Sequence, residues 1–276
     1  MMGYRIFLAG AAGAVGRRLT PLLLDAGHDV HGTTRSEAKA ETLRILGASP
    51  IVVDVFDAAA LARAAAAARP DIVIHQLTDL PKDLDPNRMG QAIVRNARLR
   101  DEGTRNLVGA AIAAGARRLV AQSIAWAYAP GPEPHAETDA LDVEARGDRG
   151  ITVRGVIALE DLVLKSPPLE GVVLRYGQLY GPGTHSDRPS SFAPVHVDAA
   201  AYAALLAIDH GEPGTYNIAQ PNSHVATEKA RAELGWTADL RLSPGDPARR
   251  DRAGSTASSS PPGGQDPGER ASVRDR

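Results

Sequence analysis

The chain contains no cysteine. That absence excludes disulfides, thiolate nucleophiles and thiolate metal ligands together, and it fits a reducing compartment. No stretch reaches the roughly 18 apolar residues of a membrane span, and the apolar N-terminal run has neither a basic flank nor a small-residue cleavage site. The expectation is a soluble, cytoplasmic protein with no membrane partner. Positive charge is neither in excess nor clustered: 31 Lys and Arg stand against 33 Asp and Glu, a formal net charge of −2, so no nucleic-acid partner is expected. The eight histidines form no His-Glu-x-x-His or carboxylate-paired group, and no metal site is expected. A small molecule is left as the partner.

What is present begins with an apolar run, residues 4–8, that leads into Ala9-Gly10-Ala11-Ala12-Gly13-Ala14-Val15-Gly16. A strand feeding a three-glycine turn that opens a helix is a phosphate cradle. One glycine allows the tight exit from the strand, the next lets backbone approach a pyrophosphate, and the third lets helix and sheet pack closely. The phosphates then face the free N–H groups and the positive dipole end of the helix that starts near Ala14.

The 276 residues, 43% apolar, are enough for one large core. Strands are expected at 29–33, 51–55, 72–75, 119–122, 172–175 and 215–218. Helices are expected at 36–46, 61–68, 89–98, 104–114, 157–164 and 199–208. This alternation predicts an α/β fold, a Rossmann-like doubly wound parallel sheet of about seven strands. A small C-terminal substrate lobe is expected mainly from 177–242, within a domain spanning 1–242. Residues 243–276 hold no aromatic residue and no Leu, Ile or Met, and they read as a disordered tail.

Taken together, the residues resemble the extended short-chain dehydrogenase/reductase superfamily, in its NAD-dependent epimerase/dehydratase group, over residues 4 to about 242. Gly10, Gly13 and Gly16 fit its glycine fingerprint, and Val53-Asp54 its acidic position beside adenine. His75-Gln76-Leu77-Thr78 fits the turn beside the cofactor. The resemblance implies an active-site asparagine at Asn96, ahead of Gly103-Thr104 and Asn106-Leu107, and a catalytic hydroxyl at Ser123. Leu174-Arg175-Tyr176-Gly177 through Tyr180-Gly181-Pro182-Gly183 is similar to the segment that passes the nicotinamide. Val195-His196-Val197-Asp198 and Tyr216-Asn217-Ile218 match later landmarks. A homodimer through 89–98 and 104–114 is a further implication.

The family's usual proton donor is a Tyr with a Lys four residues later. This chain contains no Tyr-x-x-x-Lys. Aligning Ala158-Leu159-Glu160 with the family's pattern puts Thr152 and Val156 at those two positions, as in atypical members. The catalytic candidates are then Ser123, Tyr128, Asn96 and Tyr176, with Ser123 binding the substrate oxygen and Tyr128 or Tyr176 donating the proton. Ser123 also reads as a cap, and Tyr128 as part of a Val-Tyr-Gly-like turn.

The expected cofactor contacts are Gly10, Ala12, Gly13, Ala14, Val15, Gly16, Arg35, Asp54, Val55, Gln76, Leu77, Thr78 and Tyr180. Arg35 stands where an acidic residue would bind the ribose of NAD and where an arginine accommodates a 2′-phosphate. This favours NADP, with NAD as the alternative. His75 and His196 read as structural hydrogen-bonders. The leading function is an oxidoreductase acting on a small carbonyl, alcohol or sugar-like substrate. A nucleotide-sugar epimerase or dehydratase and a non-catalytic dinucleotide sensor are the alternatives.

Overall fold

A computed structural model describes residues 3–81 and 84–242. The expected disordered tail, 243–276, lies outside the described residues. The chain runs β1 (Arg5–Ala9), α1 (Ala14–Asp25), β2 (Asp29–Thr34), α2 (Glu37–Ile45), β3 (Ser49–Val52), α3 (Ala58–Ala68), β4 (Ile72–His75), α4 (Pro86–Arg98) and α5 (Thr104–Ala113). It continues with β5 (Arg118–Ile124), α6 (Gly147–Leu164), β6 (Glu170–Tyr176), β7 (Gln178–Tyr180), β8 (Pro194–His196), α7 (Val197–Leu206), β9 (Gly214–Ile218) and α8 (Glu228–Leu234). A π-helical turn, Leu99–Gly103, joins α4 to α5. Among the described residues no helix is long and apolar enough to cross a membrane.

Seven strands form one parallel sheet in the order β3-β2-β1-β4-β5-β6-β9. Its central strands β1, β4, β5 and β6 carry near-continuous buried runs because both faces are covered. Alternation sorts each run: Ile6 and Leu8, Ile72 and Ile74, Val120, and Val172 and Leu174 pack against Leu19, Leu23, Leu43 and Ala200. Their neighbours Phe7, Val73, Leu119, Ala121 and Val173 face the other way, against Leu61, Leu107 and Leu159. The order reverses between β1 and β4, and in open α/β sheets ligands bind beyond the strand ends at such a point.

Three differences from the sequence reading have physical reasons. Helix α6 starts at Gly147, ten residues before its expected start, because its glycines are contact points rather than breakers. A Cβ on Gly155 would lie 3.0 Å from Ala97 Cα of α4. The third strand is Ser49–Val52 rather than 51–55; Pro50 is accommodated because β3 is an edge strand. Most of 177–242 completes the main sandwich instead of standing apart as a lobe. Strand β9 joins the sheet, α7 buries Val197 and Ala199–Ala201 in the core, and Trp236 donates its indole N–H to Ala199 O at 2.8 Å. The pair β7–β8 and helix α8 were not anticipated.

Candidate cofactor and active site

A cleft opens at the C-terminal ends of β1, β2, β3 and β4, lined by Gly10, Ala12, Gly13, Arg35, Asp54, Val55, Gln76, Leu77 and Thr78 among others. Its floor is the glycine turn. Gly10 has φ +88°, and a Cβ there would lie 2.5 Å from Gln76 O. A Cβ on Gly16 would lie 2.3 Å from Gly10 O, so that glycine lets α1 sit directly on the turn. Gly13 caps α1 without a side chain. Ala14, Val15 and Gly16 form its first turn, leaving backbone N–H groups for an anion. A pyrophosphate fits this cradle, whereas larger side chains would fill it.

At the β2 end the cleft is basic. Arg35 is joined there by Ser36 and Lys39, which the sequence reading passed over. The available signal was positional: Ser36 is the N-cap of α2, which places Lys39 in its first turn, near the same strand end. The Arg35 side chain is 59% exposed and lies 3.8 Å from Asp79, which also pairs with Arg95 at 3.4 Å. Asn96 Oδ1 accepts the Asp79 N–H at 2.9 Å, so Asn96 secures the loop after β4. Asp54 turns the β3 exit by accepting the Phe56 N–H at 3.0 Å. Asn106 ties that exit to α5 by donating to Val55 O at 2.9 Å. Tyr180 lies away from these groups, on β7, its hydroxyl accepting from Arg241 at 3.1 Å.

Ser123 and Tyr128 belong to one buried network. The Ser123 hydroxyl donates to Glu160 Oε1 at 2.7 Å. Glu160 grips Arg175 through Nε at 3.0 Å and Nη2 at 2.7 Å, both side chains only 6% exposed. Arg175 Nη1 donates to the Tyr128 hydroxyl at 2.9 Å, and that hydroxyl donates to Asn217 Oδ1 at 2.6 Å. Burial opposes the charge on Arg175, but the hydrogen bonds and charge of Glu160 prevail and hold its pKa above the ordinary arginine value. Burial also raises the pKa of Tyr128, against the pull of Arg175. Tyr176 stands apart from this network, fully buried, its hydroxyl accepting from Gln76 Nε2 at 3.2 Å and its pKa raised by that burial.

Thr152 and Val156 sit one turn apart on α6, and Val156 is buried. Facing this helix is a cation that the sequence reading did not single out. Arg100, in the π-helical turn, is buried and donates Nη1 to Thr152 O at 3.5 Å; burial lowers its pKa to about 10. It therefore remains charged at neutral pH. His75 and His196 are hydrogen-bonded where expected. His75 Nδ1 accepts the Leu77 N–H at 3.2 Å, leaving Nε2 facing Thr104 Oγ1 at 3.0 Å. His196 Nδ1 accepts the Asp198 N–H at 3.2 Å and caps α7. Among the described residues no group of His, Asp and Glu could hold a metal ion.

Burial, reinforced by the Arg100 charge, lowers the His75 pKa to about 4. The unfolded chain therefore binds a proton on this histidine between about pH 6.5 and 4 that the folded chain does not. The stability contributed by neutral His75 is complete above that window and falls as pH drops through it, by up to about 3 kcal/mol. Urea unfolding at pH 7.5 and 4.5 should show a smaller pH-linked loss for His75→Gln than for the parent; equal losses would contradict this.

A family model described as "NAD dependent epimerase/dehydratase family" matches residues 6–195. The chain belongs to this family. A relative from a Streptomyces species, the 3-diazoavenalumate denitrifying reductase, is 41% identical over 250 residues, covering 88% of this chain and 77% of that one. Among solved structures, the UDP-glucose 4-epimerase of Thermotoga maritima with UDP-glucose superposes with a TM-score of 0.69 at 19% identity, over 86% of this chain and 94% of that one. WbmG of Bordetella bronchiseptica, in complex with NAD and UDP, gives 0.66 at 21% identity, over 87% and 90%. These structures share the fold. Family and relative together place the chain among NAD-dependent oxidoreductases and epimerases.

Proposed function

We propose that this chain is an NADP(H)-dependent reductase that replaces the diazo group of a small substrate with hydrogen. The reading is carried by the state of the three hydroxyls expected near the reacting centre. Ser123 donates to Glu160 and Tyr128 to Asn217, while Tyr176 is buried with a raised pKa. A carbonyl reduction needs a proton donor of suitable pKa beside the substrate oxygen. Loss of dinitrogen does not. NADPH held in the cleft would supply a hydride; at a diazonium carbon that hydride would form the C–H bond as the C–N bond breaks and its electron pair leaves with N₂. The substrate class comes from the Streptomyces relative, a denitrifying reductase of a diazo compound.

In this proposal the glycine turn and the first turn of α1 hold the pyrophosphate, with Asp54 and Val55 beside the adenine. Arg35, Ser36 and Lys39 select the 2′-phosphate, which a guanidinium pairs bidentately. Leu77 and Thr78 line the path towards the ends of β5 and β6, and Arg100 keeps a fixed positive charge behind the site. The homodimer in this proposal uses α4 and α5, where Val94 is 54% and Ile112 38% exposed.

The test is reduction of an aryl diazonium acid with NADPH deuterated at C4. Deuterium at the carbon that carried nitrogen, with N₂ released one-for-one and no label gained from D₂O, is the expected result. Label from solvent at that carbon would contradict the proposal. Tight dinucleotide binding with no turnover would favour the sensor alternative.

A further inference from the structure

Among the described residues one buried side-chain polar atom has no hydrogen-bond partner, Oε1 of Gln76. Gln76 follows β4 at the rim of the cleft and is 5% exposed. Its main chain is fixed, the N–H donating to Ala9 O at 2.8 Å and the carbonyl lying against Gly10. The carboxamide Nε2 reaches Tyr176 OH at 3.2 Å. Turning the amide over moves the deficit without removing it: Oε1 would then accept from the Tyr176 hydroxyl and the NH₂ group would be left over. A buried polar group without a partner costs about 1–3 kcal/mol, and an apolar side chain of similar size would avoid that cost.

The position of this unpaired group narrows its ligand. The basic end of the cleft, with Arg35 and Asp54, lies at β2 and β3, and the glycine turn lies at β1. A dinucleotide laid with its adenosine at the first and its pyrophosphate on the second has its remaining half beyond β4, where Gln76 bridges towards Tyr176 of β6. We propose that the Gln76 carboxamide hydrogen-bonds the nicotinamide-riboside half of the dinucleotide, and that Tyr176 is the positioning residue that fixes the other end of the amide. The inference rests on the cofactor reading above and adds the contact that discriminates a complete dinucleotide from its adenosine fragments.

The test is calorimetric titration of the full chain and of Gln76→Met with NADP⁺, 2′-phospho-ADP-ribose and 2′,5′-ADP. Loss of one hydrogen bond should weaken NADP⁺ binding about five- to tenfold, with 2′,5′-ADP unchanged within about twofold. A parallel loss for 2′-phospho-ADP-ribose identifies a ribose hydroxyl as the partner. An unchanged value for that ligand identifies the nicotinamide carboxamide. NADP⁺ binding unaffected by Gln76→Met, or an equal loss for all three ligands, would overturn the proposal. Should Gln76→Met fail to fold, Tyr176→Phe is read the same way: a loss for NADP⁺ but not 2′,5′-ADP supports it, and any other pattern counts against it. Failure of the unmodified chain to bind any of the three would instead defeat the cofactor reading.

Discussion

Replacing Glu160 with alanine should destabilise the fold by about 3–5 kcal/mol, because it strands a buried guanidinium. The Arg175 side chain is 6% exposed and, among the described residues, receives its countercharge at hydrogen-bonding distance from Glu160, through two contacts of 3.0 and 2.7 Å. The Ser123 hydroxyl would lose its acceptor in the same step. Glu160→Gln also removes the countercharge but keeps the shape and an amide oxygen that still accepts from Arg175, so its cost should be smaller, about 1–3 kcal/mol. The double variant Glu160→Met with Arg175→Met removes both charges. It should recover much of the loss, since paired burial of ions is repaid mainly by the partner. Urea unfolding measures all three. A Glu160→Ala cost below about 1 kcal/mol would show that the network is not the structural tie described above.

On the proposed reading, Arg35→Ala should weaken NADP⁺ binding about 10- to 100-fold, the worth of a charge-assisted contact to phosphate, while NAD⁺ affinity changes little. Arg35 is exposed and held only at 3.8 Å by Asp79, so its removal leaves no buried group unpaired and the fold should be unaffected. Lys39 lines the same end of the cleft and should retain part of the preference in the single variant. Equal losses for both cofactors would mean that Arg35 shapes the cleft without reading the 2′-phosphate.

The glycine turn was legible because it is a conformational demand: at φ +88° and 2.5 Å from a carbonyl, position 10 favours glycine over any other residue. Strands β1 and β4 were legible because the middle of a doubly covered parallel sheet requires unbroken apolar runs, and these are visible one at a time. The first ten residues of α6 were not, since Gly150 and Gly155 weaken a helix locally and only their contacts with Ala145 and Ala97 explain them. Nor could the sequence show what becomes of 177–242. The alanine-rich α7 is a recognisable helix, but its burial against the sheet is a tertiary fact.

The candidate site divides the same way. The turn after β4 was located by its resemblance to the family's pattern, through His75-Gln76-Leu77-Thr78. Hydrogen bonding between side chains could not be located in this way: Glu160 and Arg175 both served as landmarks without any indication that they pair, and that pairing determines where the Ser123 proton points. Arg100 carried no signal because its burial depends on the π-helical turn, which displaces it from a regular helical face.

The proposed role of the cleft at the reversal of strand order is to bind a 2′-phosphorylated dinucleotide. The most direct test is calorimetric titration of the unmodified chain with NADPH, NADP⁺, NADH and NAD⁺ under one set of conditions. Binding of the phosphorylated pair with at least about tenfold preference over NADH and NAD⁺ is expected. Binding of none of the four would leave the glycine cradle a purely structural turn, with no cofactor site in the cleft.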